Sequence, residues 1–302
     1  MSQSLQVLIA GSNGQLAQEL TRKLAFAGHR PVAMARPRLD LADVSTIRPA
    51  LSSRAFDVVV NTAAYTAVDK AEDEPERAVA VNAAGAGALA AAAGDAGIPI
   101  IHVSTDYVFD GTKNSAYVET DPPAPLGVYG RSKLEGERLV AQGQPRHIIL
   151  RTSWVFSAHG HNFVKTMLRL SRERTTISVV DDQYGCPTAA GDLADTIVAL
   201  LPHIMSTHAS PDAFGLFHAT GRGTASWFSF AEAIMNGVAE RGAQRASVIP
   251  IKTADYPTRA RRPAHSVLDS SKLRHVHGIE MPPWQRGLDA VLDELVGQVR
   301  QE

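Results

Sequence analysis

The run Tyr129-Gly-Arg-Ser-Lys133 sets a phenol and a primary amine four residues apart. On a helix that spacing stacks the two side chains on one face. An ammonium beside a phenol favours the phenolate, so Lys133 is expected to draw the Tyr129 pKa down. A free phenol titrates near about 10, and lowering it makes a proton donor that works at neutral pH. Just upstream, Ser104-Thr105-Asp106-Tyr107 brings hydroxyls and a carboxylate to the end of the strand-like run Pro99–Val103. Tyr-x-x-x-Lys by itself is also common on solvated helix faces. Its meaning depends on the elements that would position it.

Those elements begin at the N-terminus. Gln6–Ala10 is short and apolar, the pattern of a parallel strand buried on both faces. Gly11-Ser-Asn13-Gly14-Gln15-Leu16-Ala17 follows and leads into a helical pattern, Gln18–Ala27, closed by Gly28. A strand, a G-x-x-G-x-x-A turn and a helix in that order make a dinucleotide-binding unit. Gly11 permits the turn, Gly14 lets the backbone approach a pyrophosphate, and Ala17 allows close helix packing. A second strand, Pro31–Ala35, ends where an acid usually holds the adenosine ribose. Here the chain reads Ala35-Arg36-Pro37-Arg38. A guanidinium suits a 2′-phosphate, so NADPH is expected, with NADH as the alternative if both arginines are solvated surface charges. Arg38–Leu41 reads as a short strand, with Asp40 facing adenine or capping the segment from Asp43.

Ala55–Asn61 is another buried-strand pattern, and it ends in Asn61-Thr-Ala63-Ala64-Tyr65-Thr66. Small residues there leave room for a flat cofactor in the crevice at the carboxyl ends of the strands. Val68–Ala92 is Ala-rich and helical, with Pro75 restarting a helix at its first position. Asn82 is expected to bond local backbone or, alternatively, to join a proton relay. His147–Thr152 adds a strand after the Tyr129 helix. Alternating strands and helices predict an α/β fold, a Rossmann-type doubly wound parallel sheet. Beyond Ser153 the pattern is less regular. Helices are expected at 162–174, 191–201, 227–241 and 284–301, and strands at 176–180, 214–219 and 248–251. The loop Asp181–Thr188 is polar and rich in turn formers, a candidate for ligand contact. Arg259–Ser266 is locally basic, either a solvated loop or a clamp for a diphosphate. The predicted division is a dinucleotide-binding domain over 1–155. A mainly substrate-binding domain follows over 156–302, with some segments returning to the first sheet.

Bulk properties narrow the function classes. The 302 residues are 44% hydrophobic and 20% charged with a formal net charge of −1. Neither nucleic acid nor membrane is an expected partner of so balanced a chain. One cysteine, Cys186, excludes an internal disulfide and suits a reducing cytoplasm. The N-terminus lacks a basic leader segment, so no export signal is expected. The histidines show no metal-ligand spacing, and no catalytic metal is expected.

In order along nearly the whole chain lie Gly11-x-x-Gly14-Gln-Leu-Ala17, Asn61-Thr-Ala-Ala-Tyr-Thr-Ala-Val-Asp69-Lys-Ala-Glu72 and Val81-Asn82-Ala. There follow Ser104-Thr-Asp-Tyr-Val-Phe-Asp-Gly111, Tyr129-Gly-x-Ser-Lys133-Leu-Glu-Gly-Glu137, Arg151-Thr-Ser-Trp-Val-Phe156, Asn162-Phe-Val-Lys-Thr-Met-Leu168, Asp182-Gln-Tyr-Gly-Cys-Pro-Thr188 and Arg262-Pro. Together they resemble the extended short-chain dehydrogenase/reductases, and among these the dTDP-4-dehydrorhamnose reductases. The resemblance implies NAD(P)H-dependent reduction of the C4 ketone of dTDP-4-dehydro-β-L-rhamnose, the last step of dTDP-L-rhamnose synthesis. It implies Tyr129 as proton donor, Lys133 on the nicotinamide ribose, and Thr105 on the carbonyl oxygen or the phenol. Asp106, Tyr107, Trp154 and Arg262 would meet the dTDP-sugar. Gly11, Asn13, Gly14, Gln15, Leu16, Arg36, Asp40, Leu41, Ala63, Ala64, Tyr65 and Thr66 would join Tyr129 and Lys133 around the cofactor. A monomer or a homodimer fits equally, with Mg²⁺ possible at a subunit contact but not derivable.

Two departures stand out. Ala35-Arg36 replaces the family's frequent acid, and Arg262-Pro-Ala-His-Ser266 replaces its usual R-P-x-N-S. Another sugar-nucleotide reductase, or an epimerase or dehydratase, shares the fold, but Thr105-Asp106-Tyr107 suits a simple reductase. A related chain is a noncatalytic subunit that binds methionine adenosyltransferase. That role predicts a damaged catalytic set, and Thr105, Tyr129 and Lys133 are intact.

Overall fold

Strand β1 (Gln6–Ala10) shows how the core is built. Val7 and Ile9 face one apolar layer, and Leu8 and Ala10 face another. The same alternation recurs at Val58, Val59 and Val60, and at Ile148, Ile149 and Leu150. Period-two side chains that are apolar on both faces demand a sheet covered on both sides. Each large aliphatic side chain so buried contributes about 1.5–3 kcal/mol.

The computed structural model describes residues 4–206 and 210–297. Its main sheet adds β2 (Arg30–Met34), β3 (Val58–Asn61), β4 (Ile100–Thr105) and β5 (His147–Thr152). Short strands β6 (Val155–Phe156), β7 (Thr176–Val180), β8 (Tyr184–Gly185) and β9 (Thr188–Ala189) follow, then β10 (Gly215–His218). Sheet order is β10-β5-β4-β3-β1-β2, and every pairing is parallel. The chain leaves β1 toward β2 on one side and continues through β3 on the other. This reversal opens a crevice at the strand ends. Helix α1 (Gln15–Phe26) starts there.

The remaining helices are α2 (Ile47–Ser52), α3 (Val68–Ala71), α4 (Pro75–Val79), α5 (Ala86–Asp95), α6 (Val128–Gly143), α7 (Phe163–Glu173) and α8 (Ala190–Met205). After β11 (Ala225–Ser226) come α9 (Trp227–Glu240), β12 (Ser247–Ile251), α10 (Ser271–His277) and α11 (Trp284–Val296). Leu193, Ile197 and Leu200 of α8 lie in the same core as Leu20 and Leu24 of α1, and β10 closes the edge of the main sheet. A separate core joins α7, α9 and α11 to the parallel pair β7 and β12.

Three expectations need correction. Arg38–Leu41 is not a strand. Leu39 and Leu41 are both buried, which imitates a period-two pattern, but Asp43 N–H bonds back to the Asp40 carbonyl and the chain turns. Asp43 accepts from Ser45 N–H and caps a 3₁₀ turn, and Asp40 accepts from Ala42 N–H. The Val68–Ala92 helix is broken: Pro75 starts α4 as expected, but a π turn at Ala80–Gly85 precedes α5. A Cβ on Gly85 would collide with the Leu41 carbonyl. Asn82 does bond backbone, though not locally. It clamps Tyr65 by accepting from its N–H at 2.7 Å and donating to its carbonyl at 3.1 Å. The last helix runs as predicted to Val296, and positions 298–301 of that prediction lie outside the described residues. Pro75–Asp95 is long and apolar enough to cross a membrane by length and composition, but half of its most apolar window is buried in the fold.

Candidate active site

Helix α6 delivers Tyr129 and Lys133, and its seat is set by glycines and a carboxylate. A side chain on Gly130 would strike the Tyr107 carbonyl, and one on Gly136 would strike that of Asn82. Glu72 accepts from Val128 N–H at 2.7 Å, placing a carboxylate at the positive end of the helix. One turn beyond Lys133, Glu137 meets Arg151 of β5 through two hydrogen bonds, 2.9 and 2.6 Å. Ser104 of β4 donates to the same carboxylate at 2.5 Å. The buried pair therefore locks α6 to two strands directly beneath the candidate chemistry. The sequence offered a signal, an acid four residues after Lys133, but not its partner.

A cavity of about 1040 Å³ opens along the strand ends. At one end lies the glycine turn. Gly11 has φ +103°, and a Cβ there would press on Thr62 Oγ1 at 2.9 Å. Gly14 precedes α1 in an extended conformation, and a Cβ on it would meet no atom within 4 Å. The first turn of α1 holds no acid. Open space before free helix amides fits a pyrophosphate. Asn13, Leu16, Arg36, Asp40, Leu41, Ala63, Ala64, Tyr65 and Thr66 also line the cavity, as expected, and Arg36 is exposed. Gln15 lines it too, but its side chain has another use. It donates to the Val155 carbonyl at 3.2 Å and accepts from Ser157 Oγ and Asn162 Nδ2, tying α1 to the second half.

At the other end Thr105, Asp106, Tyr107, Tyr129, Lys133 and Trp154 come together. Tyr107 and Tyr129 meet edge to face, 5.7 Å between ring centres. Burial pushes the Tyr129 phenol up to about 12, opposed by the Thr105 hydroxyl beside it. This overturns the expectation that Lys133 lowers it. The Lys133 ammonium instead donates to the Val103 carbonyl at 2.7 Å, and its Nζ lies 3.3 Å from His102 Nε2. Burial brings Lys133 down to about 8 and keeps His102 neutral, well below its usual value. Asn61 Oδ1 accepts from Ala63 N–H, so its amide nitrogen faces His102 Nδ1 at 3.0 Å. That arrangement makes Nδ1 the acceptor and leaves the imidazole proton on Nε2, so Nε2 does not accept from the Lys133 ammonium.

Trp154 adopts φ +48° and stacks on Trp227, 3.5 Å between ring centres and 7° between planes. Gly185 packs so closely under Trp154 that a Cβ would overlap its ring. Trp227 also lines the cavity. It was read from sequence only as the start of a helix, because nothing local marks which strand end it reaches. Arg262 is the one expected site residue that does not line the cavity. Its planar fork is taken by Asp69, at 3.1 and 2.7 Å, a match that removes the freely available diphosphate clamp. Cys186 is buried and its thiol is pushed up to about 11, in line with a structural role. Among the described residues no group of three or more His, Cys, Asp or Glu side chains could hold a metal.

A doubly wound sheet, a glycine turn opening on a dinucleotide-sized cavity, and Thr, Tyr and Lys converging at its far end define a nicotinamide-dependent oxidoreductase of the short-chain type. The family model described as RmlD substrate binding domain matches residues 5–296. Over 281 residues the chain is 46% identical to dTDP-4-dehydrorhamnose reductase of Sinorhizobium fredii, covering 93% of this chain and 94% of that one. It is 43% identical to the enzyme of the same name from Burkholderia thailandensis, covering 97% and 100%. The crystal structure of dTDP-4-dehydrorhamnose reductase from Bacillus anthracis in complex with NADP superposes with TM-score 0.89 at 35% identity, covering 97% and 100%. The chain belongs to the dTDP-4-dehydrorhamnose reductase family.

Proposed function

We propose that this chain reduces the C4 ketone of dTDP-4-dehydro-β-L-rhamnose to dTDP-β-L-rhamnose, with NADPH as its preferred reductant and NADH as a second one. The reading rests on one observation above all: Thr105, Tyr129 and Lys133 line the same cavity as the Gly11–Leu16 turn. The turn and the start of α1 hold the pyrophosphate, and Arg36 meets the 2′-phosphate. Ala63–Thr66, Asp40 and Leu41 flank the adenosine half. Bound there, the dihydronicotinamide supplies a hydride. Lys133 would hold its ribose hydroxyls. Tyr129 gives its proton to the C4 oxygen, and the Thr105 hydroxyl, accepting from the phenol, orients it for that transfer. Asp106, Tyr107 and Trp154 border the sugar, and the stacked Trp227 extends that wall.

Residues 1–155 with α8 and β10 form the cofactor half of this scheme, and the remainder forms the sugar-nucleotide half. Arg262 acts on the substrate through the loop it holds to Asp69. The lone, buried Cys186 is in keeping with work in the cytoplasm.

The direct test is an assay with dTDP-4-dehydrorhamnose that follows NADPH and NADH absorbance separately. Substrate-dependent oxidation of NADPH, faster than of NADH, supports the reading. Sugar interconversion with no net cofactor oxidation would point to an epimerase instead.

A further inference from the structure

Residues 259–268 cross from the second half of the chain to the first and are pinned on both sides. Arg262 pairs with Asp69, Arg259 pairs with Asp73, and Ala260 N–H donates to Asp69. Pro263 and Ala264 pack against Gly111, whose φ of +80° and lack of a side chain let them approach. Ser266 N–H donates to the Tyr184 carbonyl at 2.8 Å, and Tyr117 N–H donates to the Val267 carbonyl at 2.8 Å. Two side chains of this strap reach the candidate site: Arg262, which faces Tyr107, and Ser266, which is 2% exposed. Its Oγ donates to Asp106 Oδ2 at 2.5 Å, joining residues 160 apart in sequence. The other carboxylate oxygen, Oδ1, accepts from Thr105 Oγ1 at 3.1 Å.

We infer that Ser266 is a positioning residue for the reduction: by holding Asp106, it fixes the direction of the Thr105 hydroxyl that faces Tyr129. The inference rests on the reaction proposed above and assigns a role to a residue outside the cavity wall. A proton count supports it. A hydroxyl has one proton and two lone pairs. Thr105 Oγ1 already accepts from Tyr107 N–H at 3.2 Å. While Asp106 is ionised, the single Thr105 proton lies on Asp106, and Thr105 can only accept from the phenol. Once Asp106 is protonated it donates to Thr105, whose own proton turns toward Tyr129 or the sugar oxygen, and the acceptor that orients the phenol is lost. Ser266 donates to the ionised form and therefore biases this choice.

Burial raises Asp106 to about 7, while Ser266 and Thr105 pull it down. The titratable groups facing it are Tyr107, Tyr129 and Cys186. Losing the Ser266 donor removes a bond to the charged form, so the Asp106 transition moves to higher pH. Ser266→Ala, Ser266→Cys and Ser266→Thr are to be assayed beside wild type and Tyr129→Phe, with kcat, KM for dTDP-4-dehydrorhamnose and the kcat–pH profile measured for each. Cysteine keeps the volume and weakens the donor, whereas threonine keeps the hydroxyl. The expected result is a fall in kcat of about tenfold for Ala and Cys, the size of one charge-assisted hydrogen bond. Their KM stays within about twofold, their profile shifts upward in pH, and Thr stays near wild type. Wild-type kcat and profile in either the Ala or the Cys variant would overturn the inference, as would a Thr variant as impaired as Ala. Wild-type turnover in the same plates separates this outcome from failure of the proposed reaction.

Discussion

The two ends of the cavity are built in different ways. The phosphate end comes from contiguous stretches, 11–17 and 61–66, whose shape follows from local backbone needs: a positive φ at Gly11 and open space at Gly14. The sugar end comes from contacts between distant segments. Asp106 meets Ser266 across 160 residues, and Asp69 meets Arg262 across 193. A cofactor shared by many enzymes can be held by one local motif. On the proposed scheme a particular sugar nucleotide would be held by two halves of the chain meeting over it, and so would depend on tertiary structure.

The predictions probe that contrast. Tyr129→Phe, at the junction of the two ends, is expected to lower kcat by about 10²–10⁴-fold, the range for a lost general acid. NADPH binding, followed by fluorescence titration, stays within a few-fold. If NADPH binding is lost as well, Tyr129 belongs to the local end and the contrast blurs. Glu137→Ala leaves Arg151 buried and unpaired, and is expected to cost about 3–5 kcal/mol in a denaturant titration. A loss under about 1 kcal/mol would show that α6 is seated by its glycines alone.

Asp69→Ala and Arg262→Ala are expected to raise KM for the sugar nucleotide by about three- to tenfold, with KM for NADPH unchanged. This pair is partly exposed, so its effect on stability is small. The double variant should be close to the worse single one, since Asp69–Arg262 is the contact they share. Additive effects would mean that Arg262 also touches the substrate directly. The smallest effect belongs to Arg36→Asp, which should shift the NADPH to NADH ratio of kcat/KM by about threefold toward NADH. An unchanged ratio would return Arg36 to the solvated surface.

The same contrast explains what could be read from the sequence. The parallel sheet was legible because β1, β3 and β5 carry apolar residues on both faces, at Val7–Ala10, Val58–Val60 and Ile148–Leu150. The glycine turn and the Tyr129–Lys133 pair were legible because each is compact in sequence. Arg38–Leu41 misled because two buried leucines alternate with polar residues in a segment that turns. The Lys133 effect on Tyr129 was misjudged because i, i+4 spacing gives proximity but not burial or competing partners. The Val103 carbonyl engages the ammonium, and desolvation governs the phenol. Trp227, Ser266 and the pairing of Glu137 with Arg151 carry no local signature of these roles. Their roles exist only once α9, the 259–268 strap and β5 have been brought to the cavity.

The most direct measurement uses NADPH deuterated at C4 of the nicotinamide, in separate 4R and 4S forms, with dTDP-4-dehydrorhamnose as substrate and the product read by mass spectrometry and proton NMR. The account predicts one deuterium at C4 of the rhamnose ring from one of the two forms, and none from the other. dTDP-rhamnose with no deuterium at C4 from either form, or no dTDP-rhamnose at all, would contradict it.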